Sequence, residues 1–368
     1  MLKLKSKFKN LYSIKYFDKL SLVYKVLQNI VENYVFPKDI YYVTENVDWV
    51  ISDIGNTLAL HITKYKFKVV ITPFGIRNSI VHYASINTFL GNHRIKLAHK
   101  SNKIIVTWFH ISDNDLRIKL LPEAISKVSL WHTSCEHTKN KMVILGIPEE
   151  KIVVIPLGVD LKIFNNPSEK EKSLLIEQFN LPSKSVVIGS FQKDGNGWGR
   201  GLEPKLIKGP DIFCKVVSML ANRYDLYILL TGPSRGYVKR ELDNMNVPYN
   251  HIFLNEANDV ADYYKVIDIY LVTSREEGGP KAILESMASG VPLVSTKVGL
   301  AMDIIKDNEN GFLVNVEDVE TLYTKACEIL DNRELSNKLI GNGLKTIENY
   351  KWEYVSKLYI TKLYRALS

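Results

Sequence analysis

Apolar residues in this chain gather in short runs, each closed by glycine, proline, asparagine or aspartate nearby. Such runs occur at 47–51, 68–72, 79–84, 103–109, 127–131, 152–155, 185–190, 227–231, 252–254 and 267–272. Their length and bounding turn residues predict buried strands, with 47–51 the first. Between them the period lengthens to that of helices. One helix is expected after 53–56 and through Ile62, another opens at 132–134 and ends at Gly146, and a short one ends at Phe179. An amphipathic helix is predicted over 211–220, and helical stretches near 317–331, 334–348 and 352–366 close the chain.

The stretch 274–292 stands out. It reads Ser-Arg-Glu-Glu-Gly-Gly-Pro-Lys-Ala-Ile-Leu-Glu-Ser-Met-Ala-Ser-Gly-Val-Pro and follows the apolar run that ends at Val272. Pro280 suits the first turn of a helix, where a missing N–H costs nothing. Ala282, Leu284, Glu285, Met287 and Ala288 continue the helix until Gly290. A strand, a glycine turn and a helix aim free N–H groups and the positive end of a helix dipole at one spot. That suits a phosphate or sugar oxygen. Glu277 lies in the turn and Glu285 in the helix, where Pro280 and Glu285 are about 7 Å apart along the axis. Both carboxylates can face one extended ligand at different depths. Ionised carboxylates accept hydrogen bonds from hydroxyls, so a polyhydroxylated ligand such as a nucleotide sugar fits the spacing.

A second candidate is the loop 192–210. It holds Gly195, Gly197, Gly199, Gly201 and Gly209 together with Lys193, Arg200, Lys205 and Lys208. A flexible glycine backbone lets several cationic side chains converge on a diphosphate. His110 follows the run 103–109, at the carboxyl end of a predicted strand, where ligands bind in open α/β sheets. His82 also ends a strand. Arg235 is a candidate for a diphosphate or for a domain interface. Gly55 is read as the glycine of a strand-to-helix turn.

Ser274, Glu277-Gly278-Gly279-Pro280, Glu285, Met287-Ala288, Gly290 and Pro292 resemble the Glu-x7-Glu signature of the retaining glycosyltransferases of family four. Val294-Ser295-Thr296, Val298-Gly299 and Asn310-Gly311-Phe312-Leu313-Val314 are also similar to that family. So is the string from Gly146-Ile147-Pro148 through Ile155-Pro156-Leu157-Gly158-Val159-Asp160 to Phe164. The resemblance implies an α/β fold of the GT-B kind: two Rossmann-like domains facing across a cleft, with a C-terminal helix crossing back to the N-terminal domain. The implied divisions are a basic segment 1–38, an acceptor domain 39–165, a nucleotide-sugar domain 166–350 and the returning helix 351–368.

The activity so implied is transfer of a hexose from a nucleoside-diphosphate sugar to a saccharide or lipid-linked acceptor, with retention of anomeric configuration and without metal. Glu277, Lys208 and His110 are then the catalytic candidates. Glu285, Gly278, Gly279, Lys193, Arg200 and Gly299 are the donor-binding ones. Glu285 would take the ribose hydroxyls, Glu277 and the N–H groups of Gly278 and Gly279 the sugar, and Lys208 with Lys193 the diphosphate. The family's arginine after the strand is replaced by Lys193, with Arg200 as the alternative. A non-catalytic sugar-binding partner of the same fold, and another GT-B enzyme such as a phosphorylase or a nucleotide-sugar epimerase, stay open as rivals.

With 368 residues, 46% of them hydrophobic, the chain has a globular composition and material for two domains. Cys135, Cys214 and Cys327 are far apart, which suits a reduced cytosolic compartment. No His/Cys cluster has ligand spacing, so neither a metal nor another cofactor is expected. There is no apolar run of about 18 residues, and no cleavable leader pattern. The net charge is +8, and residues 1–38 carry eight lysines against Asp18 and Glu32. Leu2, Phe8, Leu11, Phe17 and Leu20 are interleaved with them. Such a segment suits anionic lipid headgroups; a helix packed on the first domain is the alternative. The expected location is cytoplasmic, peripheral on the inner face of the cell membrane. Nucleic acid is not expected, since no recognition motif accompanies the charge.

Overall fold

The computed structural model describes residues 21–45, 50–91, 94–112 and 115–368. Most of the basic segment therefore lies outside the described residues. Two six-stranded parallel sheets organise the rest. The first contains β1 (Ile40–Val43), β2 (Phe67–Val70), β3 (Ile80–Tyr83), β4 (Lys103–Thr107), β5 (Leu130–Thr133) and β6 (Ile152–Val154), in the order β2-β1-β3-β4-β5-β6. The second contains β7 (Val186–Phe191), β8 (Leu226–Thr231), β9 (Tyr249–Ile252), β10 (Ile269–Val272), β11 (Leu293–Thr296) and β12 (Phe312–Val314), in the order β12-β11-β10-β7-β8-β9. Parallel strands covered on both faces read as continuous apolar runs. The four residues of β1 and of β10 are all buried. The second sheet has the doubly wound order 3-2-1-4-5-6, whose direction reverses between β7 and β10. The two sheets are the pair of Rossmann-like domains that the GT-B resemblance implies.

Several elements differ from the expectation. The first strand is Ile40–Val43, not 47–51; Val50 and Ile51 open the helix Val50–His61, and 46–49 lie outside the described residues. Ile-Tyr-Tyr-Val is a β-branched and aromatic run that suits a buried strand, whereas two apolar residues at a helix start mimic one. Gly55 consequently sits within that helix, where an added Cβ would stand 2.7 Å from the Tyr42 ring. It is a packing glycine and not a turn glycine. β5 begins at Leu130, and the next helix is Glu136–Ile144, capped by Cys135. β9 ends at Ile252, where the expected strand began, and the helix Gly236–Asn244 was not anticipated.

Helices Val319–Asp331 and Arg333–Ile347 complete the second domain. The chain then returns to the first. Trp352 N–H donates to Val159 O at 3.2 Å and Val159 N–H to Tyr350 O at 2.9 Å. The helix Trp352–Leu358 widens into a π-helical turn, Tyr359–Tyr364, whose Tyr359, Leu363 and Tyr364 join the core around Tyr42. A chain of buried hydrogen bonds fixes this contact. Nε2 of His132 is 3.1 Å from Ile155 O, which can only accept, so that nitrogen carries the proton. Burial holds His132 neutral, lowering its pKa to about 4, so its Nδ1 accepts from the Thr107 hydroxyl at 2.8 Å. Thr107 in turn accepts from His82 Nε2–H at 2.8 Å, and His82 Nδ1 accepts from Tyr364 O–H at 2.9 Å. Every proton in the series has one direction.

A helix over 21–35 packs on the first domain. Asn29 donates to Thr72 O and Phe74 O, both at 3.1 Å, and Glu32 pairs with Lys68. Leu22, Val23, Tyr24, Leu27, Val31, Tyr34, Val35 and Phe36, on and just after that helix, are exposed, Tyr34 by 90%. Among the described residues no helix is long and apolar enough to cross a membrane.

Candidate functional site

The reversal of strand order decides where ligands can enter. In an open α/β sheet they bind outside the carboxyl ends of the strands that flank the reversal. Here those ends carry the loop after β7 and the turn after β10. The two stretches singled out in sequence thus meet in one crevice.

That crevice is a cavity of about 370 Å³. Phe191, Gln192 and Lys193 line it from the β7 side, Lys208 from the end of the glycine loop, and Glu277, Gly279, Pro280, Lys281, Ala282 and Glu285 from the turn and helix after β10. Thr231, Gly232, Leu254 and Val260 close its far end. The helix Lys281–Ala288 buries Ile283, Leu284, Met287 and Ala288, so Lys281 and Glu285, one turn apart, face the cavity together. No side chain caps its start, which leaves its first N–H groups for a ligand. Gly290, at φ +68°, ends it.

The two carboxylates differ in surroundings. Glu277 Oε1 accepts from Lys208 Nζ at 2.6 Å and from Ser274 Oγ at 2.9 Å. Glu285 Oε2 accepts from the Tyr264 hydroxyl at 3.2 Å, and Lys281 Nζ is 3.5 Å from Oε1. Lone pairs on both remain for a ligand's hydroxyls. Lys205, half-buried, has its pKa lowered by burial and then by Lys208 and Lys193. Lys205 thus stands close to the two lysines that line the cavity, and Glu277 offsets part of their repulsion. Lys193 Nζ rests 3.8 Å from the centroid of Trp198.

A buried ion pair holds the base of the glycine loop. Arg235 Nε is 3.0 Å from Asp194 Oδ1, with both side chains shut off from solvent. The Arg235 guanidinium also donates to Ser190 O, Gln192 O, Thr231 O and Ser190 Oγ at 2.6–2.9 Å. Arg235 is therefore neither a diphosphate ligand nor an interface residue. It ties β7, β8 and the loop together. From Gly195 to Pro204 the loop forms a small hairpin. Arg200 sits on it, exposed and away from the cavity lining, so of the two basic candidates only Lys193 lines the cavity.

The first domain meets the motif at its glycines. A Cβ on Gly278 would lie 1.7 Å from Phe109 O, and one on Gly279 2.9 Å from Ser134 Oγ. Gly278 is therefore required by the approach of the two domains. Gly299, at φ +44°, packs behind the turn, where a Cβ would lie 2.3 Å from Glu277 O. It shapes the turn and does not line the cavity. His110 stands beside this contact, its Nε2 3.5 Å from Glu276 Oε1. Its pKa is lowered by burial, while Glu276 and Glu277 pull upward and Lys208 and Lys205 downward. His82 belongs to the buried hydrogen-bond series described above, not to the cavity.

Lys205, Lys281, Tyr264 and Glu276 were not picked out from the sequence as individual site residues. The spacing of Lys281 and Glu285 was the available signal for the first helix pair. The sequence also contains one Asp-x-Asp string, Asp113-Asn114-Asp115. Asp113 and Asn114 lie outside the described residues; Asp115 is engaged by Arg117. Among the described residues no group of three His, Cys, Asp or Glu side chains is placed to hold a metal ion.

Residues 202–346 match the family described as Glycosyl transferases group 1. The chain is 25% identical over 225 residues to the lipopolysaccharide core biosynthesis mannosyltransferase LpsB of Rhizobium meliloti (58% of this chain, 60% of that one). It is 24% identical over 280 residues to the UDP-Gal:alpha-D-GlcNAc-diphosphoundecaprenol alpha-1,3-galactosyltransferase of Escherichia coli (70% and 65%). The matched part thus spans less than two thirds of either relative. Among solved structures, Anabaena Alr3699/HepE, in complex with UDP and glucose, superposes with a TM-score of 0.71 at 14% identity, covering 89% of this chain and 99% of that one. A glycosyltransferase from Rickettsia africae gives 0.62 at 20% identity, covering 88% and 83%. These likenesses establish the fold.

Proposed function

We propose that this chain, whose C-terminal domain carries the group 1 glycosyltransferase match, transfers a hexose from a nucleoside-diphosphate sugar to a saccharide or lipid-linked acceptor with retention of anomeric configuration. One observation carries the reading. Glu277 and Glu285 line the same cavity as Lys193 and Lys208, at the crevice where the strand order reverses. Carboxylates for hydroxyls beside cations for phosphates are the two halves of a nucleotide sugar's recognition.

In this reading Glu285 accepts from the ribose hydroxyls. Glu277 and the N–H groups at the start of the motif helix hold the transferred sugar. Lys193, Lys205 and Lys208 meet the diphosphate and stabilise the charge that builds on it as the glycosidic bond breaks. Such preorganised charge is usually the largest catalytic term, one donor contributing about 3 kcal/mol. The lysines supply the counter-charge on the protein itself, and we propose that transfer is metal-independent on that ground. Bound UDP in the HepE complex and the UDP-Gal donor in the name of the E. coli relative support a uridine donor.

The test is a thermal shift with UDP, GDP and ADP and their sugar conjugates, with and without EDTA. A ligand at 100 times its Kd stabilises by about 2.7 kcal/mol. A shift with one nucleotide that survives EDTA is expected. No shift with any of them would overturn the reading and favour a non-catalytic partner. Proton NMR of the product anomer tests retention.

The exposed apolar residues on and just after the helix 21–35, beside a lysine-rich segment, favour a second element: docking on an anionic membrane at the cytoplasmic face. Sedimentation with phosphatidylglycerol vesicles tests it. Val31→Glu with Tyr34→Glu should abolish co-sedimentation, and unchanged binding would reject it.

A further inference from the structure

His110 follows β4 in the first domain, and Glu276 lies in the turn after β10 in the second. Two observations single out this pair. Glu276 Oε1 is buried and accepts no hydrogen bond within the protein. The group facing it across the cleft is the His110 ring, with Nε2 at 3.5 Å. The backbones on either side are in contact, since a Cβ on Gly278 would lie 1.7 Å from Phe109 O.

We propose that Glu276 is a positioning residue that takes the Nε2–H of His110 across the interdomain cleft and so presents the Nδ1 lone pair to a substrate hydroxyl. The proposal rests on the donor-site reading above. A neutral imidazole carries one proton; with that proton on Nε2, Nδ1 can only accept. A sugar or acceptor hydroxyl is a donor and matches it. Glu277 does not do this work, because Lys208 and Ser274 already occupy it. The other charged groups that His110 feels are Glu277, Lys208 and Lys205 from the second domain and Asp115 from the first. Glu276 also acts on His137 of the helix Glu136–Ile144. Because carboxylate and imidazole come from different domains, His110 is oriented only while the cleft is closed.

Glu276→Gln removes the charge and keeps the size. The His110 C2–H resonance, identified by its loss in His110→Asn, would be titrated in both proteins, with donor turnover and UDP-induced thermal shift measured alongside. The His110 midpoint should fall by on the order of one pH unit, since the imidazolium loses a facing carboxylate. The acidic limb of the pH profile of kcat/KM should move with it. kcat should fall about tenfold, donor KM should stay within about twofold, and Glu276→Asp should recover part of the loss. An unchanged His110 midpoint, or a loss confined to donor KM, would overturn the proposal. Failure of UDP to stabilise the wild-type chain would overturn the donor-site reading, and the titration shows separately whether the pair exists.

Discussion

Tyr364 donates its hydroxyl to Nδ1 of His82 at 2.9 Å, joining the final turn of the chain to the third strand of the first sheet. His82 Nε2 and both ring nitrogens of His132 are also engaged, so neither imidazole can take a proton without breaking a bond. Burial holds His82 well below the ordinary histidine range and His132 at about 4. In the unfolded chain both bind protons as the pH falls below about 6.5. The folded chain binds fewer protons between pH 6.5 and 4, so stability is lost as the pH falls through that window. The slope should reach about 1.4 kcal/mol per pH unit for each histidine. Urea unfolding at pH 7.0, 6.0 and 5.0 checks this, and flat stability over that range would contradict it. Tyr364→Phe leaves a buried Nδ1 without its donor and should cost about 1–3 kcal/mol at pH 7.

Lys208 is held by Glu277 at 2.6 Å on the cavity wall. Lys208→Ala should lower kcat about a hundredfold, as expected for a group that meets developing charge. Glu285→Ala should instead raise donor KM along with a loss of turnover. Steady-state kinetics with varied donor separates the two. A near wild-type rate in the first variant, or unchanged donor affinity in the second, would refute the respective role.

Asp194 and Arg235 form an ion pair sealed from solvent. Such a pair is costly to break from one side, because the partner's charge stays buried. Asp194→Asn should destabilise the chain by about 3–5 kcal/mol. Circular dichroism melts measure it, and a loss of under 1 kcal/mol would show that the pair is not the anchor of the loop.

Gly278 leaves no room for a Cβ against Phe109 O. Gly278→Ala should hold the domains apart while both keep their folds. Donor binding, which rests on the second domain, should change by a few-fold at most. Turnover should fall on the order of a hundredfold, the usual consequence of an ångström of misplacement. Equal losses in both would mean that the glycine serves the donor directly.

The stretch from Ser274 to Pro292 could be read directly because its strand, turn and helix are contiguous and each residue type has a local reason. Lys208 followed from the same logic at the end of a glycine loop. Other features depend on neighbours distant in sequence. Arg235 looks like a ligand cation until β7 and β8 are known to lie side by side. Glu276 gains meaning only from His110, in the other domain. Arg200 was a fair candidate by charge, but the hairpin between Gly195 and Pro204 carries it out of the cavity. The first strand was missed because Ile40–Val43 is short and aromatic, while Val50 and Ile51 imitate a strand at the start of a helix.

The return of the C-terminal turn has a bearing on how the chain is made. Tyr359, Leu363 and Tyr364 are core residues of a domain whose own strands were all translated some two hundred residues before them. Until residues 359–364 have been made, the core beside Tyr42 and His82 lacks the side chains that fill it. A chain stalled or truncated before Tyr359 is therefore marked, by exposed apolar surface, as unfinished.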